Sequence, residues 1–294
     1  MARYIINAPA KINLFLHIVG RAPCGYHLIE SVFAFVDLYD VLEVELGSKR
    51  RGVKFIRFSG IHRSDNTIQR SIGHMVRRCL SGVAENVYVK VLKNIPVSAG
   101  LAGGSVDAAA VIRLLGRLWG IDEKEANRVA FRVGSDVPVC LISKTAFVSG
   151  MGDHVEMVED YSFPKHVVLA GPRVELSTKS VFQSFKPNEF SSSLGEAPQS
   201  SEEWLSVIER SRNDLTDVAL SLVPEVQKIL GALNKLEGCY LARMSGSGAT
   251  CFALFFDENM ANLAAEKLKA ENEDWFVCKA NIVQARHVAN VIRA

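Results

Sequence analysis

Apolar and polar positions alternate along residues 3 to 19, the pattern of a half-buried strand. Ala8-Pro9-Ala10-Lys11-Ile12-Asn13 interrupts it. Pro9 cannot donate to a sheet ladder, so a bend or an edge is expected there. Residues 28 to 46 read as further extended segments, and 53 to 58 repeat the alternation. The period then changes. Ile68, Ile72, Met75, Val76 and Cys79 share one face of a helix over 66 to 80. Val87 to Leu92 is strand-like again. A small-residue helix is expected from Ala108 to Trp119, and another over 122 to 133, where Asp122 and Glu125 have the spacing of a capping box. Val137 onward reads as an apolar run after a turn, and 145 to 157 as a hairpin. Beyond a polar stretch at Glu159 to Lys165, a strand at 166 to 170 is expected, then a helix capped by Ser177 and a polar loop over 186 to 202. Helices are expected at 203–210, 224–237 and 258–271, with strands at 251–256 and 275–284. The expectation is an α+β protein of two domains, 1–160 and 161–294.

Two small-residue loops interrupt these elements. The first joins a strand to a helix at Asn94 to Ala110. Glycines let bare backbone approach a ligand, and a helix N-terminus favours negative charge there, which makes an anion site. Gly104 is followed by Ser105 rather than lysine, so this is not a Walker loop. Gly100, Gly103 and Gly104 lack dinucleotide-fingerprint spacing. A tight strand-to-helix turn without a ligand is the plainer alternative. The second loop is Ser245-Gly-Ser-Gly-Ala-Thr250, between strand-like segments in the other half.

Composition narrows the partners more than the fold. Of 294 residues, 48% are hydrophobic and 22% charged, with a formal net charge of +2. That balance gives no argument for a nucleic-acid or membrane partner. The basic runs Lys49-Arg50-Arg51 and Arg77-Arg78 read as solvated surface. The six cysteines form no Cys-x-x-Cys pair and no zinc spacing, and Met1 to Asn7 lacks a signal-peptide pattern. Reduced thiols in a cytoplasmic protein are expected. Phosphoryl transfer needs backbone amides, one cation, one carboxylate and usually Mg²⁺. Lys11 and Asp136 are candidates for the cation and the carboxylate. Each also has a plain reading, Lys11 as a snorkelling surface charge and Asp136 as a cap or turn former.

The motifs taken together resemble the GHMP kinases. They are Pro9-Ala-Lys-Ile-Asn-Leu, Gly25-Tyr-His, Pro96-Val-Ser-Ala-Gly-Leu-Ala-Gly-Gly-Ser, Gly134-Ser-Asp-Val-Pro-Val and Met244-Ser-Gly-Ser-Gly-Ala-Thr. Pro-Ala-Lys-x-Asn-Leu with Gly-Tyr-His at this distance is similar to the branch acting on a cytidine-diphosphate-linked methylerythritol of the non-mevalonate isoprenoid pathway. The resemblance covers nearly the whole chain. It implies a two-lobed fold, an N-terminal β/α ATP-binding domain with a C-terminal α/β sandwich. It implies γ-phosphate transfer from ATP with Mg²⁺ to the 2-hydroxyl of a substrate carrying a cytidine diphosphate moiety, by a monomer or weak homodimer. ATP would lie on Pro96, Val97, Ser98, Ala99, Gly100, Leu101, Ala102, Gly103, Gly104, Ser105 and Val106. Lys11 and Asp136 would be catalytic. Asn13, Tyr26, His27, Thr178 and Phe182 would face the substrate, with Tyr26 and Phe182 as the walls around the cytosine. The metal ligands are left open. A mevalonate- or homoserine-type kinase, or a nucleotide-binding module without catalysis, are the other readings.

Three stretches depart from the family pattern. Ser98 and Ala99 stand where glycine is common. Val106-Asp107 follows Ser105 where a second small polar residue is usual. Cys24 replaces an aspartate before Gly-Tyr-His.

Overall fold

In the computed structural model, residues 2–47, 52–56, 67–78, 86–158, 164–186, 189–284 and 292–293 are described. The chain opens with two long antiparallel strands, β1 (Ala2–Arg21) and β2 (His27–Leu46). β3 (Gly52–Ile56) and α1 (Thr67–Arg78) follow, then β4 (Val87–Leu92) and α2 (Gly103–Trp119). α3 (Glu123–Val133), α4 (Val137–Ile142), β5 (Ala146–Gly150) and β6 (His154–Met157) complete the first half. The second half contains β7 (His166–Pro172), α5 (Thr178–Ser184), α6 (Ser201–Arg210), α7 (Thr216–Leu222) and α8 (Glu225–Asn234). It continues with β8 (Leu241–Met244), β9 (Cys251–Phe255), α9 (Glu258–Glu271), β10 (Trp275–Val283) and β11 (Ile292–Arg293).

β2 is the organising strand. It pairs with β1 along its length, with β4 over Val41–Leu46, with β5 over Ile29–Phe33 and with β10 at Phe35 and Val36. β10 then pairs with β7, which continues through β9 to β8. Sheet hydrogen bonding therefore runs from one half of the chain into the other. The expected boundary at 160/161 falls among residues 159–163, outside the described ones.

Several local expectations change. Proline does not stop β1. The register shifts at Pro9/Ala10, and the described part of β11 pairs only with Tyr4 and Ile5, so the proline's missing donor is tolerated beyond that pairing. α2 starts at Gly103 rather than Ala108, so two glycines form its first turn. The run after Asp136 is the helix α4, with Pro138 in the first turn, where its missing N–H costs nothing. α7 is a helix that the pattern did not announce. On α1, Ile68 and Met75 are buried as expected but Val76 is exposed, and Cys79 lies outside the described residues. The capping role of Asp122 holds, with its carboxylate accepting the Glu125 amide at 2.8 Å. The basic run 49–51 also lies outside the described residues.

α2 is buried along most of its length and packs on β1 and β2 beside α1, α3 and α4. Its small residues Ala108, Ala109 and Ala110 allow that close approach. The resulting core includes Ile12, Phe33, Phe35, Val89 and Leu115. A second core lies between α8, α9 and the sheet of β7 and β9.

Candidate active site

Lys11 and Asn13 lie two apart on β1 and so face the same way. The Lys11 ammonium donates to Asn13 Oδ1 at 2.8 Å and lies 4.5 Å from the centre of the Phe33 ring. The side-chain amide of Asn13 donates to Ser31 Oγ at 2.8 Å. The lysine is 4% exposed, so it is a positioned charge and not a snorkelling one. Its Nζ lies 3.3 Å from Asp136 Oδ2. Asp136 occupies the N-cap position of α4, yet its side chain caps nothing. Its carboxylate is 33% exposed and so is left to face Lys11 and solvent. Arg113, on α2, fastens α4 by donating to the carbonyls of Cys140 and Leu141 at 2.8 Å. Those carbonyls belong to the last turn, where helix acceptors have no intrahelical partner.

The two small-residue loops touch. The Lys11 amide donates to the Leu101 carbonyl at 3.0 Å, which fixes the first loop against β1. Ser245 Oγ donates to the Gly100 carbonyl at 2.9 Å and accepts the Asn13 amide at 3.2 Å. The Thr250 amide reaches the Ala99 carbonyl, and the Leu176 amide the Ser98 carbonyl. Gly100 has φ +77°, and a Cβ on it would lie 2.2 Å from the Ser245 carbonyl oxygen, so only glycine fits. Asn213 holds the second loop from behind, donating to the Met244 and Gly246 carbonyls at 2.8 and 2.7 Å.

α2 begins with Ala102 in the left-handed region, φ 55°, and no side chain caps it. No side chain consumes its first-turn amides, and although the Ser105 amide turns back to the Ala102 carbonyl, this is the condition for an anion site at Gly103 and Gly104. Ser98 is also left-handed, φ 49°, and carries there the strain that glycine would avoid. Ala99 is buried. Cys24 is exposed, with its thiol 3.7 Å from the Met151 sulfur.

The substrate-side residues divide. His27 packs on Phe182 with ring centres 5.5 Å apart and meets Phe185 edge-on at 5.7 Å. Tyr26 is 68% exposed. Thr178 shares a hydrogen bond of 2.9 Å with Ser247 of the second loop. The Arg21 guanidinium donates to His27 Nε2 at 3.0 Å, which leaves Nδ1 to carry the proton. Burial, and then the Arg21 charge, lower the His27 pKa below the usual histidine value. A neutral imidazole results. Arg21 and Phe185 were not among the sequence candidates; only their nearness to Gly25-Tyr-His and to Phe182 could have suggested them.

The family models for the GHMP kinases N terminal domain and the GHMP kinases C terminal match residues 66–144 and 196–274. A 4-diphosphocytidyl-2-C-methyl-D-erythritol kinase of Anaplasma phagocytophilum (strain HZ) is 65% identical over 285 residues, covering 97% of this chain and 96% of the relative. The chain belongs to the GHMP kinases. It is an ATP-dependent small-molecule kinase with the two-part fold of that family. The crystal structure of a 4-(cytidine 5'-diphospho)-2C-methyl-D-erythritol kinase superposes with a TM-score of 0.76 at 30% identity, covering 94% of this chain and 99% of that one. A homoserine kinase from Cytophaga hutchinsonii gives 0.71 at 19% identity, over 96% and 95%, which shows a shared fold alone. No helix among the described residues of this GHMP kinase is long and apolar enough to cross a membrane.

Proposed function

We propose that this kinase transfers the γ-phosphate of ATP to the 2-hydroxyl of 4-diphosphocytidyl-2-C-methyl-D-erythritol in the cytoplasm, as a step of non-mevalonate isoprenoid synthesis. The observation that carries the chemistry is the Lys11–Asp136 contact of 3.3 Å beside the glycine loop. The acceptor hydroxyl gives its proton to the Asp136 carboxylate as its oxygen attacks the γ-phosphorus. The new P–O bond forms, the bond from the γ-phosphorus to the bridging oxygen breaks, and ADP departs. Lys11 offsets negative charge on the transferring group, and Asn13 keeps the ammonium aimed. The first-turn amides of α2 hold the phosphates.

Among the described residues, no group of three His, Cys, Asp or Glu side chains converges as a metal cage. That fits Mg²⁺, which keeps several waters and binds through one or two carboxylates plus substrate phosphates. The ion would ride on the ATP phosphates beside the glycine loop, leaving Asp136 to take the hydroxyl proton. The ion would neutralise charge on the phosphate oxygens.

What supports the acceptor is the relatives' printed function together with the neutral His27 packed at a tilt against Phe182. With Nε2 taken by Arg21, the neutral imidazole offers its Nδ1–H as a donor to an acceptor on the cytosine edge. Phe182 offers a face for the base, and Tyr26 is free to close over it. ADP release should be measured with Mg-ATP and, in turn, the cytidyl diphosphate substrate, mevalonate and homoserine. Turnover with the cytidyl substrate alone is the expected result. Turnover with mevalonate or homoserine in its place defeats the acceptor assignment. Tight ATP binding without turnover on any of the three favours a module without catalysis.

A further inference from the structure

Beneath the phosphate loop lies a second set of charges that the reaction does not use. Lys93 follows β4 and is nearly sealed, as are its two partners. Its ammonium meets Asp40 Oδ2 of β2 and lies 2.7 Å from Asp107 Oδ2 of α2. Asp40 Oδ1 accepts the amides of Asn94 and Ile95, at 2.6 and 2.9 Å, where the chain enters the loop. The same ammonium lies 3.3 Å from where a Cβ on Gly103 would stand, directly under the first helical residue. One cation thus ties the start of the loop to the helix that ends it. A lysine so enclosed is not available to bind phosphate.

The cluster has two carboxylates and one ammonium. Asp107 is 1% exposed, and its Oδ1 has no hydrogen-bond partner. A buried carboxylate oxygen with no donor is costly when charged. The charged groups acting on Asp107 are Lys93, from the end of β4, and Asp40, from β2. α1 meets this turn through the Thr67 hydroxyl, which donates to the Gly104 carbonyl. Burial pushes Asp107 up to about 8, the Lys93 charge opposes that shift, and the Asp40 charge adds to it. For Lys93, burial lowers the pKa, but its two carboxylate partners outweigh burial and raise it.

We propose that Asp107, acting through Lys93 and Asp40, is a positioning residue for the nucleotide loop, and that loss of its proton weakens ATP binding in alkaline solution. The inference rests on the reading that loop 96–106 holds the ATP phosphates. With Asp107 protonated, Asp40 and Lys93 balance. Once the proton leaves, an uncompensated negative charge sits under the first turn of α2, where the triphosphate binds. The sign follows from linkage. A carboxyl whose folded pKa is raised favours the protonated protein, and that advantage is lost as pH rises through the folded value. By the charge argument ATP prefers the protonated form, so its affinity falls as pH rises past the Asp107 value in the folded protein.

Binding of Mg-ATP to the full chain, without acceptor, tests this from about pH 7.5 to about pH 9.5, where the terminal phosphate of ATP is already ionised. The dissociation constant of the wild type should rise about fivefold across that range. Asp107→Asn keeps the shape and cannot ionise. It should stay within about twofold of the wild type at the lower pH and show no rise. A flat wild-type profile, or an equal rise in Asp107→Asn, overturns the proposal. If Asp107→Asn does not fold, infrared titration of the wild type decides. A protonated-carboxyl carbonyl band at neutral pH that disappears through about pH 8 supports it, and absence of that band overturns it. Failure to bind Mg-ATP at any pH overturns this inference and the phosphate-loop reading together, whereas binding that ignores pH overturns this inference alone.

Discussion

Two aspartate–lysine contacts flank one loop and do opposite things. Lys11 and Asp136 stand 3.3 Å apart, with the carboxylate one-third exposed. Lys93 and Asp107 stand 2.7 Å apart, both buried, with Asp40 on the same ammonium. The open pair leaves carboxylate oxygens free for a hydroxyl proton. In the sealed cluster Asp40 spends its oxygens on backbone amides and the lysine, while Asp107 keeps one oxygen without a partner. Residue type does not separate the two; solvent access and the number of fixed partners do. A buried charge lacking a partner is costly, so the sealed cluster holds the loop in place, whereas the open pair can exchange a proton with a bound substrate.

Removing the reactive group of the open pair should have the largest effect. Asp136→Asn is expected to lower kcat about a thousandfold, the scale of a general base, while Mg-ATP affinity stays within about twofold. Steady-state kinetics beside calorimetry check both, and kcat near the wild-type value would remove Asp136 from the chemistry. Breaking the sealed cluster should instead cost stability. Lys93→Met leaves Asp40 and Asp107 without their cation and should cost about 3–5 kcal/mol. For a chain of this size that lowers Tm by roughly 10 °C. Lys11→Met should lose rate and much less stability, because Asp136 keeps its access to water. If thermal melts gave the two lysine variants equal losses, the contrast between the pairs would collapse. The smallest expected effect lies at the substrate end. Phe182→Ala and Tyr26→Ala should each raise KM for the cytidyl substrate by the equivalent of about 1–3 kcal/mol, with KM for ATP unchanged. If Tyr26→Ala leaves KM unaltered while Phe182→Ala raises it, the base is held by Phe182 and His27 alone.

Elements governed by neighbours three or four residues away were legible along the chain. The Asp122 and Ser177 caps, the burial of Ile68 and Met75, and the glycine turn all rest on such local geometry. That Lys11 and Asn13 share a face was legible because a strand repeats every two residues; the bond between them was not. The pairing of Lys11 with Asp136 was not, and it was expected only from the motifs' likeness to a family. α2 starts five residues before its alanines suggest, because glycines in a first turn carry little helix propensity and tertiary packing sets that boundary. Val76 was placed inward by its period, but the face that α1 buries is narrower than the pattern suggested.

The sequence by itself determined the glycine-rich loop, the strand that carries Lys11 and Asn13, and the carboxylate just ahead of Pro138. Their residue types and short spacings dictate that much. Only the tertiary structure decided which charges are open and which are sealed. Lys93 reaches Asp107 and Asp40 across 14 and 53 positions, and Gly100 meets the Ser245 loop from the other half of the chain. Sheet pairing through β2 and β10 brings those distant segments together. The cost of burying charge then dictates that Lys93 be enclosed by partners, while Asp136, at the edge, remains able to react.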